Sequence, residues 1–273
     1  MDYRGLIENY RSIRAFKRES VSQEILKELD QFSKSLRGIS EINTQFKIIN
    51  NGWNVAQVLE GRAGYRGKPV QGPHYVALLS ETKGAYLQNG GYIMEALLMK
   101  ARSMGLGVCW VSVEGPEVKA ALSIEDSRAL IALAVIGIPS IPWCTPLKET
   151  VIKTSLNDIV FHRKWDQKPW IEDLEQRGLI KALYHIRMAP SWENRQLWRL
   201  LLDDQQIVLL VGPESHREDQ LLLDGGIMMY FMERIFTEEG FRVSWEVYPR
   251  DLLHLYRRYD IPSNYKIIAV MLL

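Results

Sequence analysis

"NGGYIMEALLMKARSMGLGVCW", residues 89–110, lies over "DGGIMMYFMERIFTEEGFRVSW", residues 224–245, without a gap and at a constant spacing of 135. Gly90/Gly225, Gly91/Gly226, Met94/Met229, Gly105/Gly240, Val108/Val243 and Trp110/Trp245 are identical pairs. A fixed internal spacing marks one supersecondary unit used twice, and it decides the architecture before any motif is read. Downstream, "IALAVIG" (131–137) faces "IIAVMLL" (267–273). Upstream, Ser40, Asn43 and Gln45 echo Ser191, Asn194 and Gln196 at a spacing of 151, which gives the first copy 16 extra residues. These fall within 50–73, where glycines and polar residues read as an inserted loop or lid.

Each copy carries the same series of periodicities. A helical run ("SQEILKELDQFSKSL"; "IEDLEQRGLIKALYHIR") precedes two strands ("QFKIIN" and "HYVALLS"; "LWRLLL" and "QIVLLVG"). A long helix, a strand ("GVCWVSV"; "RVSWEVY"), a short helix and a final apolar strand complete it. The expectation is an α+β fold of two halves, 1–157 and 158–273, each a mostly antiparallel sheet flanked by helices. Two such halves in one chain amount to a fused pseudo-dimer with an interface along a pseudo-twofold axis.

Composition narrows the function classes. An apolar fraction of 47% describes a globular chain rather than a disordered one. The 34 basic and 33 acidic residues leave a formal charge of +1, so no global field draws the chain to nucleic acid or to an anionic membrane. The start, "MDYRGLIENYRSIR", lacks the apolar core of a signal peptide, and the longest apolar run, "ALIALAVIGI" from Ala129, is too short to span a bilayer. A soluble, cytoplasmic protein is expected. Cys109 and Cys144 have no metal-ligand spacing and read as reduced packing residues, and the five histidines form no zinc pattern.

Two stretches stand out chemically. In "NYRSIRAFKRES", Arg11, Ser12 and Arg14 put two guanidiniums about a hydroxyl, ahead of a helix capped by Ser20 or Ser22. Such forks of N–H donors match the oxygens of a phosphate monoester. The plain alternative for this triplet alone is a solvated basic face. In "MAPSWENRQLW" (188–198), Asn194 and Gln196 on alternate positions read as two carboxamides aimed the same way from an extended segment. No GxGxxG follows a strand in "QNGGYIM" or "GLGVCW", so a Rossmann dinucleotide site is not expected.

Together "YRSIR", "GLGVCWVS" and "APSWENRQLW" resemble the nitroreductase-like family of FMN-dependent oxidoreductases, in which comparable motifs read RRSxR, GLGxCWxG and APSAGNxQPW. In that family FMN lies at a homodimer interface and meets the arginine-serine segment of one subunit and the PSxxN segment of the other. Here the first half keeps "RSIR" and has "RGISEINTQF" in place of the proline motif. The second keeps "APSWENRQLW" and has "FHRKW" in place of the phosphate motif. The resemblance therefore implies one complete flavin site per chain and a functional monomer, with further association open.

It implies roles as well. Arg11, Ser12, Arg14 and Lys153 would take the phosphate, and Ser191 and Asn194 the ribityl chain or the pyrimidine edge, with Pro190 and Gln196 facing the flavin. Trp110, Val111, Ser112 and Val113 would lie along the isoalloxazine and offer a backbone N–H toward N5. Gly105 and Gly107 would permit the helix-to-strand turn, with Arg242 replacing Gly107 in the second copy. Trp192, Glu193 and Leu197 depart from the family pattern and make the substrate side bulkier and more acidic. The implied activity is ping-pong hydride transfer from NADH or NADPH to a small acceptor such as a nitroaromatic or quinone, borne by the flavin, with no catalytic side chain and no metal. A non-catalytic flavin sensor, or a flavin-consuming or dehalogenating relative, is the alternative.

Overall fold

The computed structural model describes residues 2–113, 115, 117–141, 152–213, 217–247 and 252–273, and Cys144 lies outside them. Two compact units divide the chain, one built from Arg11–Lys148 and the other from Asp2–Tyr10 with Glu149–Leu273. Helix α1 (Tyr3–Glu8) thus belongs to the second unit, where the main-chain N–H groups of Tyr3 and Arg4 donate to Glu238 at 3.3 and 3.1 Å.

The first unit runs α2 (Gln23–Ser35), β1 (Thr44–Ile49), α3 (Gly52–Val58), β2 (His74–Ser80), α4 (Tyr86–Ser103), β3 (Gly107–Val111), α5 (Glu117–Ala121) and β4 (Ala129–Gly137). Ser22 caps α2 by accepting from the N–H of Ile25, with Glu24 in the first turn where the helix dipole favours an acid. The sheet is antiparallel throughout, in the order β1-β2-β4-β3. Every residue of β2 is buried, because α3 packs against the strand as well as α4, which explains its unbroken apolar reading.

The second unit continues with α6 (Leu156–Ile159), β5 (Val160–His162), α7 (Ile171–Gln176), α8 (Ile180–Ile186), a 3-10 turn (Trp192–Asn194), β6 (Trp198–Leu202), β7 (Gln206–Val211), α9 (Glu218–Glu238), β8 (Ser244–Glu246), α10 (Leu252–Arg258) and β9 (Lys266–Leu272). Its sheet is ordered β5-β6-β7-β9-β8. Apart from the parallel β5–β6 pair, all its pairings are antiparallel. The order β1-β2-β4-β3 therefore recurs as β6-β7-β9-β8, and the expected α+β class with two mostly antiparallel halves is what the structure shows.

The duplication extends to irregularities. The β2–β4 ladder skips Ile131 at the Leu78/Leu79 step, and the β7–β9 ladder skips Ile268 at the Leu209/Leu210 step. Each bulged isoleucine lies against the glycine that follows the first residue of the repeat. A Cβ on Gly90 would sit 2.4 Å from Ile131 Cδ1, and one on Gly225 would sit 3.1 Å from Ile268 Cγ1. A bare backbone at that helix turn is what lets the long helix approach the bulge.

These landmarks correct the expected alignment. The bulges pair Ile131 with Ile268, a spacing of 137, where the sequence reading matched 131 to 267. Phe46 opposes Leu78 while Leu200 opposes Leu209, so β1 and β6 correspond through Phe46 and Leu200 at a spacing of 154, not 151. Gln45 accordingly sits inside β1, whereas Gln196 precedes β6, and the echo of Ser40, Asn43 and Gln45 in Ser191, Asn194 and Gln196 is out of register by three residues.

Three local expectations also change. The run 171–187 is two helices, because Gly178 turns left-handed (φ 68°) and closes α7 through Gly178 N–H to Glu175 O and Leu179 N–H to Leu174 O. The stretch 50–73 is no bare loop: it contains α3, and Ala56, Leu59 and Ala63 are buried with Tyr75, Val111 and Leu133 in the first unit's core. Strand β5 escaped the sequence reading, since three residues are too few to show a period.

Candidate functional site

In the first unit the site is built on the outer edge of β3. Val108 O accepts from Ile13 N–H at 2.9 Å, and Ser112 O accepts from Gly64 N–H at 2.9 Å. Main-chain groups of alternate strand residues turn to the same side, so Trp110, midway between them, directs its N–H and C=O to that same edge. One end of the edge therefore carries the segment of Arg11, Ser12 and Arg14, and the other carries the turn following α3, which also bridges Ala63 to Val113.

The arginine segment is fixed by its backbone and presents its side chains. Ile13 is buried, Ser12 and Arg14 are exposed and Arg11 is half-buried. The carbonyl of Arg11 accepts from Nη1 of the buried Arg102 at 3.1 Å. Ser12 and Arg14 converge on the Cys109 thiol: burial pushes this thiol up, opposed by the Arg14 guanidinium and by hydrogen bonds with Arg14 and Ser12. Cys109 is thus a buried free thiol flooring a hydroxyl and a guanidinium.

Gly107 has a different reason from the one expected of it. It carries no positive φ, whereas Gly105 and its counterpart Gly240 make the left-handed turn (84° and 94°). A Cβ on Gly107 would lie 2.8 Å from Ile13 Cγ2 and 3.0 Å from Ile13 Cβ. Gly107 therefore permits close approach of the arginine segment. The second copy has Arg242 at the matching position, where no such approach could be accommodated without displacement.

Half-buried Trp110 is held through its indole, which donates to Oε2 of the fully buried Glu95 at 2.8 Å. Val111 beside it is buried, and Ser112 and Val113 are half-buried. Sequence reasoning missed Glu95, although it lies one helical turn past Gly91 on the same repeated helix. In the second copy its place is taken by Tyr230, and the indole nitrogen of Trp245 is buried with no hydrogen-bond partner.

In the second unit the motif 190–196 is compact, correcting the extended segment expected for it. Trp192–Asn194 form a 3-10 turn, and Glu193, Asn194 and Gln196 all adopt left-handed backbone (φ 52°, 55° and 51°). The two carboxamides grip the chain around Lys153. Gln196, 6% exposed, accepts from Thr154 N–H at 2.9 Å and donates to Ile152 O at 3.2 Å and Asn194 O at 3.1 Å. Asn194 donates to Ile152 O at 3.0 Å. Gln196 is thus a supporting residue whose amide is used within its own unit.

Lys153 is half-buried and tethered by its amine. Its Nζ donates to Ala189 O at 3.0 Å and Asn194 Oδ1 at 3.3 Å, beside the half-buried Pro190. Burial, reinforced by the Arg187 guanidinium, lowers its pKa to about 8. Ser191 Oγ accepts from Gln196 N–H at 2.9 Å and closes the turn. The indole of Trp192 lies beneath two guanidiniums, with Arg195 Cζ 5.5 Å and Arg217 Cζ 5.8 Å from its ring centroid. Among the described residues no helix is long and apolar enough to cross a membrane, and no group of three His, Cys, Asp or Glu residues is placed to hold a metal.

The chain matches the family model described as "Putative TM nitroreductase" over residues 4–234. Its structure is similar to that of a "putative nitroreductase" from Thermotoga maritima, with a TM-score of 0.62 at 15% identity over 100% of this chain and 94% of that one. A nitroreductase from Bacteroides fragilis with bound FMN aligns at a TM-score of 0.44 and 18% identity, covering 56% of this chain and 95% of the other. A nitroreductase family protein from Clostridium novyi aligns at 0.45 and 17%, covering 51% and 87%. No curated protein matches.

Proposed function

Because the chain belongs to the nitroreductase family whose model spans it from residue 4 to residue 234, we propose that it is an FMN-dependent NAD(P)H oxidoreductase acting on a small acceptor such as a nitroaromatic or quinone. Bound FMN supplies the hydride-accepting and hydride-donating chemistry. The observation that carries the reading is the main-chain-anchored Arg11–Arg14 segment on the edge of β3, with Ser12 and Arg14 drawn together at Cys109.

The residues fit the cofactor chemically. Arg11, Ser12 and Arg14 form a donor set for a phosphate monoester, and Lys153 adds an amine already half-buried. Ser191 and Asn194 take the ribityl chain or the pyrimidine edge. The outward N–H of Trp110 is the main-chain donor assigned to the flavin edge, and Glu95 fixes the orientation of that residue through the indole. One such site per chain in a functional monomer is part of the proposal.

Titration with FMN, read by quenching of flavin fluorescence, tests the reading, with saturation at one equivalent expected. Anaerobic NADH or NADPH then bleaches the yellow protein, and the acceptor restores it. Protein that takes up no FMN rules out the flavin reading, while FMN-loaded protein that neither nicotinamide bleaches is a binding protein instead.

Gly107→Ala gives a local check. Its new methyl overpacks Ile13, which costs about 1–3 kcal/mol if the segment stays in place. The segment is expected to shift, weakening FMN roughly tenfold while the fold survives, as the arginine at the matching position of the second copy indicates. Riboflavin, which lacks the phosphate, should bind the variant and the wild type alike. An equal loss for both ligands would sink this account of Gly107.

A further inference from the structure

We propose that Asp224 is a positioning residue that holds the Ser191–Gln196 turn in its binding shape by accepting the Trp192 main-chain N–H. The inference rests on the flavin reading above, since it assigns that turn to the cofactor.

Asp224 stands on α9 immediately before the Gly225–Gly226 pair, among Leu221, Leu223, Ile227 and Met228, all buried. The residue is 7% exposed, and both carboxyl oxygens lie 3.1 Å from Trp192 N. Burial pushes its pKa up to about 8, against the lowering effect of that one backbone bond. A carboxyl so placed is costly wherever an apolar side chain would pack as well, so the bond it makes has to be worth keeping.

What it holds does not hold itself. Three non-glycine left-handed positions within four residues, Glu193, Asn194 and Gln196, are unfavourable for L-residues and persist where neighbours over-determine them. Ser191 Oγ closes the turn upon itself, and Gln196 and Asn194 tie it to 152–154. Asp224 ties it to the long helix at the centre of its own unit.

The duplicated fold supplies an internal comparison. At the matching position in α4 stands Asn89, also buried, at 1%, yet its Oδ1 has no hydrogen-bond partner and lies where a Cβ on Gly38 would fall. The first copy lacks the PSxxN motif and lacks the tie. The opposite holds for Glu95, whose bond to Trp110 exists in the copy that keeps "GLGVCW" and is gone where Tyr230 and Trp245 replace the pair. Each unit therefore retains the buried polar tie that serves its own retained motif, at a helix position where the fold itself tolerates its loss.

The test compares wild type, Asp224→Ala and Asp224→Asn for FMN affinity, for the visible circular dichroism of bound flavin and for the melting temperature of flavin-free protein. Asp224→Ala is expected to weaken FMN about ten- to thirtyfold and to change the flavin dichroism without lowering the melting temperature. Asp224→Asn, which keeps an acceptor, should return affinity to within about threefold of wild type. From the donor side, Trp192→Pro removes the N–H and should match Asp224→Ala, whereas Trp192→Ala retains it and should lose less.

Affinity for Asp224→Ala within twofold of wild type overturns the inference while leaving the flavin reading intact, as does failure of Asp224→Asn to rescue. Wild-type protein that takes up no FMN removes both. If Asp224→Ala does not fold, the comparison of Trp192→Pro with Trp192→Ala decides alone, and equal affinities there overturn the proposal.

Discussion

With Arg11 and Arg14 both replaced by alanine, the protein binds FMN at least a hundredfold more weakly than wild type and loses most of its preference for FMN over riboflavin. A phosphate monoester carries a charge of about −1.5 to −2 at neutral pH. Hydrogen bonds to a charged group contribute roughly 1.5–3 kcal/mol each, so losing even one from each guanidinium removes on the order of 3–6 kcal/mol, or about 10²- to 10⁴-fold in affinity. The scaffold should survive, because the segment is anchored through Ile13 N–H and the Arg11 carbonyl, neither of which the substitutions remove. Arg14→Lys separates fork geometry from point charge, since an ammonium cannot donate bidentately, and it should lie between wild type and Arg14→Ala. Fluorescence-quench titrations of each protein with FMN and riboflavin measure these affinities. A double variant within tenfold of wild type would mean that the phosphate is held elsewhere.

The architecture was legible because duplication leaves identical residues wherever one conformation is forced twice. Gly105 and Gly240 survive in both copies because each makes a left-handed turn, and Gly90 and Gly225 because each faces a bulged isoleucine. Registers were less legible. Both final strands are apolar at nearly every position, so nothing in their pattern distinguishes 268 from 267 as the counterpart of 131; the bulge that each ladder carries does. The carboxamide echo misled for a related reason: Gln45 and Gln196 share a residue type, but the first belongs to a strand and the second to a turn. There Arg128 Nη1 donates to Asn43 Oδ1 at 2.9 Å and Nη2 donates to Gln45 Oε1 at 2.5 Å, a network of the first unit alone.

At the candidate site, residue types announced the phosphate donors, because arginines about a hydroxyl are chemically conspicuous. The supporting residues were not conspicuous. Asp224 and Glu95 look like ordinary acids on an amphipathic helix until the all-round burial of α4 and α9 is known. The left-handed turn at Glu193, Asn194 and Gln196 contradicts the alternation that made the segment read as extended, since only asparagine among the three favours that backbone. Gly107 was singled out for a turn and serves a close approach, a distinction that only the position of Ile13 reveals.

FMN affinity is also expected to decline as pH rises through 8, and Lys153→Met should abolish that dependence while binding FMN at least tenfold more weakly at pH 7. The free protein holds Lys153 at about 8 because its amine is desolvated and close to Arg187. At pH 7 roughly nine-tenths of it is charged and able to meet a phosphate. Bound phosphate favours the charged form, so the amine titrates higher in the complex than in the free protein. Affinity is then level below pH 8 and falls by up to about tenfold per unit above it, until the complex itself loses the proton. The second ionisation of a phosphate monoester, near 6, is complete before this window opens and does not mask the slope. Stability moves the other way. A lysine whose folded pKa lies below its unfolded value of 10.5 binds its proton less tightly when folded, so the flavin-free fold bears the whole penalty below pH 8 and regains it between 8 and 10.5. Lys153→Met should therefore raise the stability of the flavin-free protein at pH 7 by about 1–2 kcal/mol, since solvent screens the part-exposed amine. Chemical denaturation at pH 7 and 10 alongside FMN titration from pH 7.5 to 9.5 measures both. A wild-type affinity that stays level across that range, or a methionine variant less stable than wild type at pH 7, would separate Lys153 from the phosphate and leave its burial without a function.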